Sequence, residues 1–188
     1  DEFAELADRI VDFSIVSIEQ QLAVGVDGIY FSDDWGTQHR MLMRPEDWRR
    51  WYKPRYRRLF DAVHAGGAHV WMHLCGHVEP IVGDLIDIGL NVLNPIQPQA
   101  MDVDALAARY GGRVCFFGGI DVQGTLPHGT PEDVVRAVAH LIDRLGCFAG
   151  GYIGGTSHSI MPETPPENVA ALFRAFRECS GWLERGRP

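Results

Sequence analysis

His73 and Cys75 stand two residues apart where an apolar run closes, in the segment His73-Leu74-Cys75-Gly76. In a strand such residues point to the same face, so the imidazole and the thiol project together while Leu74 turns away. A nitrogen and a sulfur presented side by side make half of a zinc site. Other groups suited to chemistry gather at the ends of predicted strands: Asp33 with Asp34, Asn94 with Gln97, Gly118-Gly119 before Asp121, and Thr156-Ser157-His158. Asp33, Asp34 and Asp121 are the candidate catalytic acids; Asn94, Gln97 and His158 are the candidate substrate-binding groups. Each also has a structural reading. One aspartate of the Asp33-Asp34 pair can cap a turn, Asn94-Pro95 can shape a loop, and Asp121 can brace one. His73 and Cys75 can be hydrogen-bonded core, His77 reads as a helix cap or surface group, and Cys115, Cys147 and Cys179 read as buried or incidental.

The elements that must position these groups alternate. A helix is expected over about 2–24, with Phe3, Leu6, Ile10 and Phe13 on one stripe, and a strand over Gly28 to Ser32. Pro45 opens an aromatic-rich helix reaching about Ala65, followed by a strand from His69 to Leu74 and a helix from about Val78 to Ile88. Asn91 to Asn94 is a short strand, Asp102 to Tyr110 a helix, and Arg113 to Phe117 the fourth strand. Thr130 caps a helix that turns Val134, Val135, Val138, Leu141, Ile142 and Leu145 to the helical period. Gly151 to Gly155 is the fifth strand, and Thr164-Pro165-Pro166-Glu167 supplies a capping box for a last helix with Val169, Leu172, Phe173 and Phe176 inward. Strands separated by helices pair in parallel. Functional groups at the ends of several different strands favour a (β/α)8 barrel over an open sheet with one switch point, although about five βα units do not close eight strands. No GxGxxG follows a strand and no GxxxxGK[ST] occurs, which removes the usual support for a nucleotide-binding sheet.

Composition narrows the class. With 188 residues, 46% hydrophobic, the chain reads as one domain over 1–188 that buries a sizeable core. A formal charge of -8 argues against a nucleic-acid partner. Arg49, Arg50, Lys53, Arg55, Arg57 and Arg58, interleaved with Trp48, Trp51, Tyr52, Tyr56 and Phe60, read as a solvated face opposite an aromatic core face. The 4 cysteines form no CxxC pair, so a reduced, cytoplasmic setting is expected rather than a disulfide framework, and no run is long enough to cross a membrane. The start at Asp1-Glu2, directly into a helical pattern, suggests a beginning cut into something larger.

Five ordered segments carry a family resemblance: Gly25-Val26-Asp27-Gly28 into Phe31-Ser32-Asp33-Asp34-Trp35; His73-Leu74-Cys75-Gly76; Ile88 through Pro95; Phe117-Gly118-Gly119-Ile120-Asp121; and Ser157-His158-Ser159-Ile160 with Pro162-Glu163-Thr164-Pro165. From about Val26 to Phe176 the chain resembles the carboxyl-terminal part of the barrel of uroporphyrinogen decarboxylase and the corrinoid-linked methyltransferases. The resemblance implies an α/β fold of the (β/α)8 TIM-barrel type, partial here, whose first strands are absent, so that the chain is expected to be a truncation or a proteolytic product. In the methyltransferase branch, His-x-Cys and a later cysteine hold zinc, which activates a thiol that exchanges a methyl group with a protein-bound corrinoid. His73 and Cys75 match that pattern, and His158 takes the later position, giving a His2Cys set with an acidic residue such as Asp33, Asp34 or Asp121 free to complete it. In the decarboxylase branch no metal is needed, and Ser157-His158-Ser159-Ile160 is similar to a Gly-His-Gly-Ile segment whose histidine helps bind the tetrapyrrole. The expectation leans to zinc-assisted methyl transfer on a small-molecule substrate, with a corrinoid as substrate or borne by a partner protein. A third reading is an inactive fragment that folds by forming a homo-oligomer, since missing strands expose sheet edges.

Overall fold

A computed structural model describes residues 2–148 and 151–184. The chain falls into two compact units, Asp1–Leu93 and Asn94–Pro188. Asp1, where the expected cut begins, lies outside the described residues.

The first unit runs α1 (Glu2–Ala23), β1 (Gly28–Ser32), α2 (Pro45–Trp51), α3 (Lys53–Ala65), β2 (His69–His73) and α4 (Glu79–Asp87). β1 and β2 pair in parallel, from Gly28 opposite His69 to Ser32 opposite His73. The single helix expected over 45–65 is broken at Tyr52, which ends α2 and begins α3. Pro54 is the reason: it has no N–H to donate, and its ring crowds the carbonyl four residues back, so the helix restarts with proline in its first turn. The aromatic stripe behaves as core. Trp48 and Phe60 are fully buried, Tyr56 nearly so, and Phe31 of β1 meets Phe60 with ring centroids 5.4 Å apart. Burial of each such side chain stabilises by about 1.5–3 kcal/mol. The basic face is held by ion pairs: Arg49 and Lys53 reach Asp84 at 2.7 and 2.6 Å, Arg55 reaches Asp8 at 2.9 Å, and Arg58 reaches Asp12 at 2.5 Å. On α1 the buried positions are Val11 and Ile18, whereas Phe3, Leu6, Ile10 and Phe13 stay 44%, 59%, 57% and 76% exposed.

β3 (Val92–Ile96) passes into the second unit, which continues with α5 (Val103–Tyr110), β4 (Cys115–Ile120), α6 (Thr125–His128), α7 (Pro131–Leu145), β5 (Tyr152–Thr156) and α8 (Pro166–Glu184). β4 and β5 pair in parallel, from Phe116 opposite Tyr152 to Ile120 opposite Thr156. The strand order follows the chain, β1-β2-β3-β4-β5, which is the α/β alternation expected of part of a TIM-type barrel. Thr130 caps α7 as the sequence suggests, with Asp133 closing a capping box, and Asp102, expected as the first residue of its helix, caps α5.

Four expectations are corrected in this unit. β3 is shifted toward the C-terminus, so Asn94 lies inside the strand and is buried rather than standing at its end. β4 runs on through Gly118 and Gly119, whose φ of 96° and 103° only glycine adopts without strain. The capping box at Thr164 does not form. The Asn168 amide bonds the Pro165 carbonyl, so α8 opens one residue past the reach of Thr164, whose buried hydroxyl makes no hydrogen bond among the described residues. On α8, Ala171, Leu172 and Ala175 face inward at helical spacing, which carries Phe173 round to solvent at 67% exposure. Asn168, 1% exposed, fastens α8 by donating to the carbonyls of Leu126 and Gly129 at 2.9 and 2.8 Å.

Candidate metal centre

Alternation along β1 and β2 decides which groups meet. On β2, Val70, Met72 and Leu74 are buried, so His73 and Cys75 share the other side and are half-buried. Tyr30 of β1 lies on that side too, its ring centroid 6.0 Å from Trp71 and 6.2 Å from His73. The pairing continues one residue past β1, because the Asp33 amide donates to the His73 carbonyl at 3.1 Å. Extended pairing sends consecutive side chains to opposite faces. Asp34 therefore falls beside Cys75, while Asp33 turns toward α3.

On the first face the groups converge. The Cys75 amide donates to Asp34 Oδ1 at 3.0 Å, His73 Nε2 is 3.1 Å from Cys75 Sγ, and His73 Nε2 is 3.9 Å from Asp34 Oδ1. One ligand atom from each of the three residues lies within 4.8 Å of the others. Burial pushes the Cys75 thiol up to about 11, with the adjacent Asp34 charge and a hydrogen bond from the thiol to Asp34 adding to the effect. Tyr30 is raised as well, by burial first and then by Cys75 and Asp34.

Two loops are pressed together to hold this geometry. Gly76 has φ of 80°, and a Cβ there would sit 2.6 Å from the backbone of Gly36 and Thr37. A Cβ on Gly36 would lie 2.6–2.7 Å from the backbone of Cys75, Gly76 and His77. The His77 amide donates to the Thr37 carbonyl at 2.8 Å, so His77 serves this junction ahead of α4. Beyond it, residues of the 37–45 loop with His77 and Pro80 line an open cavity of about 670 Å³.

On the opposite face, Tyr56 of α3 donates a short hydrogen bond to Asp33 Oδ2 and accepts one at 3.0 Å from Trp35 Nε1. Burial raises Asp33 more than the Tyr56 hydrogen bond lowers it, and burial likewise drives Tyr56 upward. Asp33, Tyr52, Arg55 and Tyr56 line a cavity of about 330 Å³ walled by the apolar side of α1. Sequence reasoning placed Tyr56 only in the core stripe. Its i, i+4 spacing between Tyr52 and Phe60 carries no sign of a polar task, and Trp35 stands in the sequence only within a family segment.

The second unit holds the remaining candidates. Asp121 follows β4, 8% exposed, and spends both oxygens on backbone, accepting from the amides of Gln123 at 2.7 Å and Thr125 at 2.9 Å. That is a loop brace at the start of α6. Gln97 closes β3, its carbonyl accepting from Ala100 and Met101 at 2.9 Å each. His158 is exposed just beyond buried Ser157, whose amide donates to the Ile120 carbonyl at 2.8 Å. Among the described residues, the three-residue group that comes together is Asp34, His73 and Cys75, all from the first unit. Cys147 is exposed; Cys115 and Cys179 are half-buried, and all 4 cysteines are free.

Comparison with known proteins gives a consistent picture. The model of the uroporphyrinogen decarboxylase (URO-D) family matches residues 1–179. A uroporphyrinogen decarboxylase of Syntrophotalea carbinolica is 28% identical over 174 residues, covering 90% of this chain and 47% of that protein. A methylated-thiol--coenzyme M methyltransferase of Methanosarcina mazei is 24% identical over 176 residues, covering 91% of this chain and 43% of that protein. A solved methyltransferase structure from Methanosarcina mazei superposes with a TM-score of 0.68 at 23% identity, over 90% of this chain and 47% of that one. The chain thus spans about half the length of the relatives it matches. No described helix is long and apolar enough to cross a membrane.

Proposed function

The chain belongs to the uroporphyrinogen decarboxylase family, and from that premise we propose that it takes part in zinc-assisted methyl transfer between a corrinoid and a thiol. The observation that carries this reading is the convergence of Asp34, His73 and Cys75 within 4.8 Å. A thiol, an imidazole and a carboxylate are a zinc donor set, and tetrahedral zinc holds a sulfur and a nitrogen roughly 3.5 Å apart, close to the 3.1 Å between Cys75 and His73. A cation would also reverse the local electrostatics, turning the Asp34 charge that opposes a thiolate at Cys75 into part of a neutralised site. Bound zinc supplies a lowered pKa for a coordinated substrate thiol at neutral pH. Asp34, His73 and Cys75 hold the ion and the Gly36–Gly76 contact fixes the ligand-bearing loops; His158, in the second unit, keeps the substrate-binding role expected from its sequence segment. Protein purified without chelator is expected to carry about one zinc per chain, and Cys75→Ser to lose it. Unchanged zinc in Cys75→Ser defeats the reading. Transfer from a methylated corrinoid to a thiol, abolished by chelator, tests the chemistry.

A second reading is decarboxylation of a tetrapyrrole without metal, favoured by relatives of that description such as the Syntrophotalea protein. It requires carbon dioxide release from an acetate-bearing tetrapyrrole in the presence of chelator. The exposed stripe Phe3, Leu6, Ile10 and Phe13 supports the further proposal that the chain self-associates. A monomer by sedimentation, with that stripe open to solvent, counts against it.

A further inference from the structure

Asp34 is flanked by two residues whose side chains end on one atom. Asp33 accepts from the Tyr56 hydroxyl and Trp35 Nε1 donates to it, so a single phenol oxygen on α3 ties down the residues before and after Asp34. The anchor itself is rigid. Tyr56 is 4% exposed, lies between Trp48 and Phe60 with ring centroids 5.8 and 5.9 Å away, and belongs to a regular turn of α3. Trp35 is further held against Tyr52, with centroids 4.3 Å apart, and its carbonyl accepts the Leu42 amide at 2.8 Å. Asp34 itself is exposed, accepts from the Cys75 amide and lies 3.9 Å from His73 Nε2. An exposed carboxylate reaches one fixed point only if its backbone is held from elsewhere, because a free side chain of this kind samples several rotamers and a free loop samples more.

We propose that Tyr56 is a positioning residue, which clamps the Asp33-Asp34-Trp35 segment from the helix side and so fixes Asp34 against Cys75 and sets the metal affinity of the cluster on the other face. The metal-affinity part rests on the zinc reading; the positioning part does not. Partners that orient a ligand without touching the ion typically change affinity by about 10–100-fold when removed.

The test uses Tyr56→Phe, which keeps the ring and deletes both hydrogen bonds, and Trp35→Phe, which deletes one and leaves Tyr56 in place should the first variant not fold. In metal-free protein, amide hydrogen exchange is followed by NMR. Protection of the Cys75 amide, which depends on Asp34 Oδ1, is expected to fall about tenfold in Tyr56→Phe, and less in Trp35→Phe, while amides along the β1–β2 ladder keep theirs. General loosening of the unit would move all of them together. Zinc titration against a competing chelator is then expected to show affinity at least about tenfold weaker in Tyr56→Phe, with a changed thiolate-to-metal absorption when cobalt(II) replaces zinc. Unchanged Cys75 protection in both variants overturns the clamp. Equal zinc affinity with an unchanged cobalt spectrum overturns the part of the proposal that concerns metal affinity. If the unsubstituted protein binds no zinc yet Cys75 protection still responds, the zinc reading fails and the clamp stands.

Discussion

The thiol of Cys75 gives the most direct check on the electrostatics of the cluster. Burial, the Asp34 charge and a hydrogen bond to Asp34 lift it from 9.0 to about 11. That rise leaves about 0.1% thiolate at pH 8, against about 10% for an ordinary thiol of that reference value. Alkylation by iodoacetamide, followed at Cys75 by peptide mass spectrometry, reports this because the thiolate is the reactive form. In metal-free protein the pH–rate profile is expected to have its midpoint near 11. Asp34→Asn deletes the charge and should move that midpoint down and speed the reaction at pH 8, while weakening zinc binding. Opposite effects of one substitution on two readouts separate a charge effect from simple damage. A metal-free midpoint at the ordinary thiol value, or one indifferent to Asp34→Asn, refutes the reasoning. The stability consequence has a definite sign: because the folded thiol holds its proton more tightly than the unfolded one, its contribution is complete below about pH 9 and is lost as pH rises through about 11. Zinc should abolish that alkaline loss.

Other outcomes follow from single contacts. At Asp84, burial acts to raise the carboxyl, but hydrogen bonds and charge from Lys53 and Arg49 outweigh it and leave it lowered; its contribution is present above the unfolded carboxylate value and is lost as pH falls through the folded one. Asp84→Asn should flatten the urea midpoint across that acid range at a cost of about 1 kcal/mol at pH 7, since Arg49 is 41% exposed. Phe60→Ala, at a site with no solvent exposure, should lower unfolding free energy by about 3–5 kcal/mol by calorimetry. Gly36→Ala places a methyl 2.6–2.7 Å from the Cys75–His77 backbone, so zinc titration should show weaker binding even where the melting temperature barely moves. Asn168→Ala strips one buried and one half-buried carbonyl of their donor and should cost about 2 kcal/mol in urea unfolding.

Much of the architecture could be read from residue order because its signals are local. Gly28–Ser32 is the strand expected, and Thr130 caps α7 as its spacing with Pro131 and Asp133 suggests. Misreadings arose where a local rule met a tertiary constraint. Gly118-Gly119 lie past the strand end expected at Phe117 yet continue β4, and Thr164 is expected as a cap although the Pro165 carbonyl opens α8. Pairing of His73 with Cys75 was legible, since period two is a property of one strand. Which aspartate joined them was not. That choice depends on β1 extending its pairing one residue past Ser32, a fact about register between strands that neither Asp33 nor Asp34 encodes alone.

The register has a consequence for mechanism. A role in proton transfer at the thiol would need Asp33 on the face of the cluster. The structure gives that carboxyl to Tyr56 and sends Asp34 to Cys75 instead. Asp121, the third acid expected at the mouth, has both oxygens engaged by Gln123 and Thr125 amides. Within the first unit, Asp34 is therefore the acid that stands beside Cys75 and His73, and the proposed zinc reading makes it a ligand. A carboxylate acting as ligand tolerates Asp34→Glu poorly, because one added methylene displaces the oxygen by more than the spread in zinc–oxygen distances. A carboxylate acting as a proton carrier reaches its target through water or a longer arm and retains part of its activity. Zinc titration of Asp34→Glu therefore decides between the two roles: a loss comparable to Asp34→Asn marks the ligand, and full retention of zinc marks the acid.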